Sequence, residues 1–133
     1  MADLTIGTVG VAGSGGTYAN VQGGEAITKG QPLYLLTGKY YVADANSTEA
    51  VALVVAVSIT GCATDGYLLV AKTGATIDLG ATLVVGTEYV LSATQGIAPV
   101  GDLATGWWVT KLGVASGAAI LLLDIKATGI AVP

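Results

Sequence analysis

The chain has 133 residues, which suits a single domain with a core of its own. Apolar residues make up 53% of it and charged residues only 11%, against about 25% in typical soluble domains, so much of its surface must be uncharged. The net charge is −4, histidine and arginine are absent and all five basic residues are lysine, which argues against a nucleic-acid interface and a histidine-based centre.

The first predicted element is an extended arm. Residues 4–11 alternate apolar with small residues, and the Gly-Ser-Gly-Gly run at 13–16 predicts a flexible hinge. We therefore assign residues 1–24 to the arm and hinge and residues 25–133 to a single β domain. The apolar residues by which the arm would add a strand to another chain's sheet edge are Leu4, Ile6, Val9 and Val11. A tail that is disordered until it binds is an equally good interpretation.

The rest of the chain consists of short apolar runs separated by glycine-rich turns, a pattern typical of strands. The predicted strands are residues 32–36, 39–43, 51–59, 67–72, 76–79, 88–92, 107–114 and 119–125. Thr37-Gly38 is expected to close a hairpin between the first two. The run at 51–59 also fits a buried helix, but its β-branched residues favour a strand after at most one helical turn near Ser47. The predicted fold is all-β: a compact small β-barrel or β-sandwich with an extended N-terminal arm.

No membrane span is expected. Residues 50–64 are uncharged, but this stretch is shorter than the roughly 18–20 apolar residues that a span requires. Asp3 stands where a secretory signal would carry basic residues, so no signal is expected either. A mean hydropathy of +0.72 without a span predicts that apolar surface is buried against other chains, in an oligomer or an assembly.

The sequence contains no recognisable reactive group of residues. Cys62 has no histidine or arginine to stabilise a thiolate, and the acidic residues are scattered without the spacing of a calcium loop. The glycine-rich stretches 13–18 and 24–30 do not match phosphate-binding loops. We therefore predict that the protein is not an enzyme and has no catalytic residues, no metal site and no cofactor.

Two aromatic pairs are candidates for a subunit interface: Tyr40-Tyr41 and Trp107-Trp108. Neighbouring side chains on a strand point to opposite faces, so one of each pair should enter the core and the other should face outward. Aromatic residues are enriched at protein interfaces, which favours a subunit contact over the alternative of a sugar-binding platform.

Several sequence phrases, in their order along the chain, resemble those of a known protein family. The segment Ile27-Thr-Lys-Gly-Gln-Pro-Leu-Tyr-Leu35, followed by Gly38-Lys39 and Val42-Ala-Asp-Ala45, resembles the opening of the capsid decoration, or cement, proteins of tailed bacteriophages. Gly86-Thr-Glu-Tyr-Val-Leu-Ser-Ala-Thr-Gln-Gly96 and Leu112-Gly-Val-Ala-Ser116, followed by residues 119–123, are similar to its closing hairpins. The resemblance covers residues 24–125.

The resemblance implies a compact β-barrel or β-sandwich that is typically trimeric and sits at three-fold positions on the outer surface of the capsid. Its partner would be the major capsid protein, with an arm reaching across neighbouring capsid subunits, and its location the virion after synthesis in the host cytoplasm. The expected function is structural: binding as an oligomer that bridges capsid subunits and stabilises the lattice.

Two alternatives stay open at this point. One is a trimeric head- or tail-fibre module that binds a host receptor glycan, although the chain has no long repetitive shaft. The other is a small β-barrel hydrolase or lyase, which the absence of histidine and arginine disfavours.

Overall fold

The chain folds into two curled antiparallel sheets that pack into a sandwich-like half-barrel, which confirms the predicted all-β class. The structure, a computed structural model, describes residues 10–11, 18–45, 50–92 and 96–132. The strands are β1 (Gly10–Val11), β2 (Tyr18–Gln22), β3 (Pro32–Leu36), β4 (Lys39–Val42), β5 (Ala56–Ser58), β6 (Tyr67–Ala71), β7 (Thr76–Asp78), β8 (Glu88–Leu91), β9 (Ile97–Pro99), β10 (Trp108–Ala115) and β11 (Ile120–Ala131). Within the described ranges the helical segments are two 3₁₀ turns, Ala50–Ala52 and Val100–Asp102.

The larger sheet has six strands in the order β1-β7-β11-β10-β8-β9. Its centre is the long β10–β11 hairpin, in which the register shifts between Lys111 and Gly113. Such a bulge needs close backbone approach, and a Cβ on Gly113 would overlap the carbonyl oxygen of Leu122. Glycine is therefore required where β10 bends across β11.

The smaller sheet has five strands in the order β2-β6-β5-β3-β4 and curls until its two edge strands meet. Gly23 forms a parallel bridge with Tyr40, and the Gly24 N–H donates to the Tyr40 carbonyl at 2.8 Å. The Glu25 carboxylate accepts the Val42 N–H, also at 2.8 Å. These contacts cover the outer edge of β4, a position that would otherwise be open to pairing with another strand.

The curling divides the interior into two apolar cores. The main core lies between the sheets and includes Val57, Ile77, Leu91 and Leu112, each fully buried. A second core fills the concave side of the smaller sheet around Leu33, where Val70 and Ile27 also pack. The central strands β5 and β6 of the smaller sheet are therefore largely buried on both faces, and they are apolar at successive positions instead of alternating.

Most predicted strands are present within one or two residues of their predicted bounds, but residues 51–59 differ. They contain the 3₁₀ turn Ala50–Ala52 and an irregular segment, and only Ala56–Ser58 is strand. The Thr110 hydroxyl donates to the Ala52 carbonyl, which anchors the turn on β10. The local pattern of β-branched residues favoured a longer strand, because it carries no information about a contact with a residue as distant in sequence as Thr110.

The last strand also differs, because β11 continues to Ala131 and was predicted to end at residue 125. Thr128-Gly129 lies inside β11, where Gly129 has a φ of 69°. The Thr128 hydroxyl donates to the Val109 carbonyl and accepts the Ile130 N–H. The pair is thus a bulge that keeps the strand attached to β10.

The N-terminal region differs from the predicted arm in one respect. Residues 18–22 were assigned to the arm and hinge, but Tyr18–Gln22 pairs with β6 over all five of its residues. Its side chains are only partly buried, as expected of an edge strand, and this polar composition made it resemble a linker. Gly10–Val11 pairs with the edge of β7 in the same chain.

Candidate interaction surfaces

The predicted arm contacts lie mostly outside the described residues. This applies to Leu4, Ile6 and Val9, whereas Val11 belongs to β1 and is paired through its backbone with Ile77. Gly10 is paired with Asp78, the last residue of β7. Since the pairing is antiparallel, the chain enters β1 from the end of the sheet at which β7 finishes.

The tyrosine pair on β4 alternates as predicted. Tyr40 points into the second core and is 7% exposed, so it has little surface left for a subunit contact. Tyr41 is on the opposite face and half-buried, and its ring stacks on Tyr34 with centroids 5.7 Å apart. A Cβ on Gly24 would overlap the Tyr41 ring, so this ring lies directly against the segment that covers the edge of β4.

The stacked tyrosines have an electrostatic consequence. Burial raises the pKa of the Tyr34 phenol above its usual value, and the negative charge of Glu25 raises it further. The stacked pair therefore lies beside a carboxylate that already accepts the Val42 N–H, and burial favours the neutral form of the Tyr34 phenol.

The tryptophan pair does not alternate as predicted. Trp107 precedes β10 and Trp108 begins it, so the rule for neighbours on a strand does not apply to both. Both side chains are half-buried and both pack against the main core. The backbone N–H of Trp108 donates to the Ala45 carbonyl at 2.8 Å, which connects β10 to the segment after β4. A subunit-contact role for Tyr41, Trp107 and Trp108 stays a prediction.

Several exposed apolar side chains around the β3–β4 hairpin were not predicted, and we name this set the hairpin patch. Its members Leu35 and Leu36 are neighbours on β3 and so point to opposite faces of the strand. The segment 53–55 runs beside β3, where the Val55 N–H donates to the Leu33 carbonyl at 2.8 Å, and the preceding 3₁₀ turn also lies against β3. The side chains left exposed along this line, each between 40% and 50%, are Leu35, Leu36, Leu53 and Val55.

The hairpin patch rests on an ordered tip. Thr37 and Gly38 both have positive φ, at 49° and 83°, as a two-residue hairpin turn requires. Lys39 follows the turn, and its ammonium group lies 2.8 Å from the Asp65 carboxylate. This hydrogen bond raises the pKa of Lys39. The tip is thereby connected to the loop before β6.

A second unpredicted surface is the turn Val84–Thr87, which we name the valine turn. The Thr87 N–H donates to the Val84 carbonyl at 3.1 Å, and Gly86 has a φ of 86°, as expected at the third position of a type II turn. Val84 and Val85 are 65% and 63% exposed. Solvated turns normally carry Gly, Pro, Asn, Asp or Ser, so two adjacent exposed valines are unusual there.

The valine turn is firmly anchored. Leu83, just before it, is buried in the main core, and its N–H donates to the Ala118 carbonyl at 2.7 Å. The Val84 N–H donates to the hydroxyl of the buried Tyr89 at 3.0 Å, and the Gly86 N–H donates to the Ala115 carbonyl at 2.9 Å. The two valines are therefore presented on a backbone that is already ordered.

The outer face of the larger sheet carries charged side chains beside the exposed Val114 and Leu122, which are directly opposite each other on β10 and β11. Lys111 and Lys126 are directly opposite each other on β10 and β11, and each turns to a carboxylate, Glu88 at 3.5 Å and Asp124 at 3.6 Å. These four side chains surround a depression of about 110 Å³ that is also lined by Gly113. Exposed ion pairs of this kind contribute about 1 kcal/mol or less each, so the face is best described as a solvated one.

The sequence does contain a signal for both missed surfaces. Leu53-Val-Val-Ala56 and Leu83-Val-Val-Gly86 are similar phrases, of which only the first lies in a predicted strand, residues 51–59. In the structure, residues 53–55 and 83–85 lie outside strands. The Leu-Val-Val triplet is therefore the sequence signal that the two surfaces share, with Leu53, Val55, Val84 and Val85 exposed and Val54 and Leu83 buried.

No group of three or more acidic, cysteine or histidine side chains suited to a metal ion is found in the described parts of the chain. Among the same residues, no helix is long and apolar enough to cross a membrane. No protein-family model matches this chain, and no curated protein has a sequence that matches it significantly.

Proposed function

We propose that the protein is a structural component of a phage capsid that binds the outer capsid surface as an oligomer, with three copies, and bridges capsid subunits. The proposal starts from the resemblance of residues 24–125 to capsid decoration proteins. An all-β domain with an N-terminal segment paired on its sheet edge supports it.

The observation that carries the proposal is the exposure of large apolar side chains at two ordered places in a chain with few charges. The hairpin patch and the valine turn are both held by backbone hydrogen bonds, and each exposes adjacent aliphatic residues. Contiguous exposed apolar groups mark protein contacts more often than solvated surface. A function in protein assembly therefore fits this surface better than catalysis.

Two separate apolar surfaces suit a bridging protein. A chain that ties capsid subunits together must contact both its own copies and the lattice. When one oligomer makes several weak lattice contacts, each contact after the first forms at high effective concentration, so modest individual affinities give firm attachment. Much of the free energy gained by burying apolar surface is offset by the entropy lost when two molecules associate and their side chains become ordered. In an oligomer with several contacts, the association part of this cost falls mainly on the first contact.

The test combines mass and binding. The mass of the purified protein is determined in solution, and the protein is then mixed with capsids of the phage that encodes it, assembled without this chain. Bound copies are counted for the full chain and for a variant lacking residues 1–16. We expect a trimer that saturates the lattice, loses affinity without residues 1–16, and raises the temperature at which the capsids rupture.

A monomer that does not bind these capsids would contradict the proposal. The fibre alternative would then be tested on glycan arrays. Tyr67 is the aromatic side chain to examine in that case, because it is exposed whereas both tryptophans pack against the core.

A further inference from the structure

The last part of β11 has an open side. On the side away from β10, β7 pairs with β11 as far as Leu122. The Leu123 N–H then donates to the Ala75 carbonyl at 2.9 Å, and the Ile125 N–H to the Thr73 hydroxyl at 3.1 Å. Past Ile125, no residue in the described part of the chain pairs with β11 on this side. We name this side of residues 126–131 the open edge.

The open edge carries backbone groups that face water. Backbone N–H groups alternate between the two sides of an antiparallel strand, so the Ala127 N–H points to the same side as the N–H of Ile125. Residues 126–130 are all exposed. Unpaired backbone donors and acceptors along an edge are a template for a strand of another chain. Every solution of this protein contains one such strand, the open edge of a second copy, and two identical edges can pair about a two-fold axis.

A bulge interrupts the open edge. Thr110 is opposite Ala127, and Trp108 is opposite Ala131. Three residues of β11 therefore face Val109, the single residue between these two on β10, where a regular antiparallel ladder would have one. The two extra residues bend β11 and break the regular row of N–H and C=O groups on its open side.

The local sequence holds the bulge in place. Gly129 has a φ of 69°, which favours glycine. The Thr128 hydroxyl donates to the Val109 carbonyl at 2.8 Å and accepts the Ile130 N–H at 3.2 Å. The exposed Lys126 adds a charge beside the bulge. Bulges and lysines are two features by which proteins keep exposed edges from pairing.

We propose that the Thr128-Gly129 bulge prevents the open edge from pairing with the open edge of a second copy of this chain. With charged residues at only 11% of the chain, electrostatic repulsion between copies is weak, so the shape of the edge has to exclude this pairing. The inference concerns the free protein in solution and does not depend on the proposed function.

The test removes the bulge and keeps the pairs on both sides of it. In a variant lacking Thr128 and Gly129, Ile130 would be opposite Val109 in regular register. The control is the same deletion combined with Ala127→Pro, which removes the N–H on the open side and no hydrogen bond to β10. Mean mass is measured by light scattering over a concentration series, and thermal unfolding is measured on the same samples.

We expect the deletion variant to unfold cooperatively and its mean mass to rise with concentration to at least about twice that of the wild type, because one open edge per copy joins copies in pairs. Adding Ala127→Pro should return the mass to the wild-type value. A deletion variant that folds and keeps the wild-type mass would overturn the inference. So would a rise in mass that Ala127→Pro does not reverse.

Thr128→Val provides the decision if the deletion variant does not unfold cooperatively. This substitution keeps the chain length but removes both hydrogen bonds of the hydroxyl, so the bulge is held less firmly. A mass above that of the wild type, reversed by Ala127→Pro, would support the inference, and an unchanged mass would overturn it. Neither measurement uses capsids, so its result is separate from the test of the proposed function.

Discussion

At the scale of single residues, Gly113 is a position at which the described structure leaves no room for a side chain. Replacing it with alanine would place a Cβ on the Leu122 carbonyl oxygen, which belongs to the paired backbone and cannot move without disrupting β10–β11. We expect Gly113→Ala to lower the free energy of unfolding by about 3 kcal/mol, measured by urea denaturation. Gly101→Ala is the control, since nothing lies within 4 Å of its added Cβ, and it should change stability by less than about 0.5 kcal/mol. Equal effects of the two substitutions on stability would contradict the close contact between Gly113 and the Leu122 carbonyl oxygen.

The pKa of Tyr34 tests the environment of the stacked tyrosines. Glu25→Gln keeps an oxygen that can accept the Val42 N–H but removes the negative charge, so the pKa of Tyr34 should fall toward its ordinary value. The measurement is an alkaline titration of tyrosine absorbance, with Tyr34→Phe identifying the signal. Because burial also raises the Tyr34 pKa, part of the rise should remain in Glu25→Gln. An unchanged titration would show that Glu25 has no influence on the Tyr34 pKa.

The same raised pKa has a defined effect on stability. The folded protein favours the neutral phenol, so the contribution of Tyr34 is fully present below the ordinary pKa of 10.0 and is lost as the pH rises through the raised folded value. Wild type should therefore lose stability above about pH 10 by an amount that Tyr34→Phe does not show. The comparison is made by measuring the unfolding temperatures of the wild type and of Tyr34→Phe between about pH 8 and about pH 11, the range in which tyrosine titrates.

At the scale of elements, Ser58 holds the loop before β3 on β5. Its hydroxyl accepts the Gln31 N–H at 2.9 Å and donates to the Thr28 carbonyl at 2.6 Å, and the residue is fully buried. Ser58→Ala would leave both backbone groups without this partner and should lower the free energy of unfolding by about 1–3 kcal/mol. The exposed Ser116→Ala is the matched control. A neutral Ser58→Ala, measured in the same urea titration, would mean that water replaces the hydroxyl.

The accuracy of the sequence predictions differed between elements for physical reasons. Strands with a regular apolar pattern and a glycine turn, such as Pro32–Leu36, were predicted at their observed bounds. Tyr18–Gln22 was missed because an edge strand buries little, so its composition is close to that of a linker. The segment 51–59 was predicted as strand because its β-branched residues suit one, whereas a hydrogen bond from Thr110, distant in sequence, holds its first turn.

At the scale of the whole molecule, the proposed oligomer needs an apolar contact between copies, and the hairpin patch is the available surface. We expect Leu36→Ser with Leu53→Ser to shift the solution mass from trimer toward monomer, because exposed leucines gain most from burial. The control is Val114→Ser with Leu122→Ser, two residues of comparable exposure on the charged face of the larger sheet. A trimer that survives the hairpin-patch substitutions would show that the copies meet elsewhere.

The sequence by itself determined the fold class, the hairpin at Thr37-Gly38 and the low charge from which an assembly role is predicted, since composition and periodicity act locally along the chain. It also supported the resemblance from which the proposed function starts. Only the tertiary structure decided which apolar residues are left exposed, because exposure depends on what packs against each position. Tyr40 is covered by the curling of the smaller sheet, whereas Val84 and Val85 are not covered by any described part of the chain. The candidate surfaces therefore moved from the aromatic pairs to the hairpin patch and the valine turn.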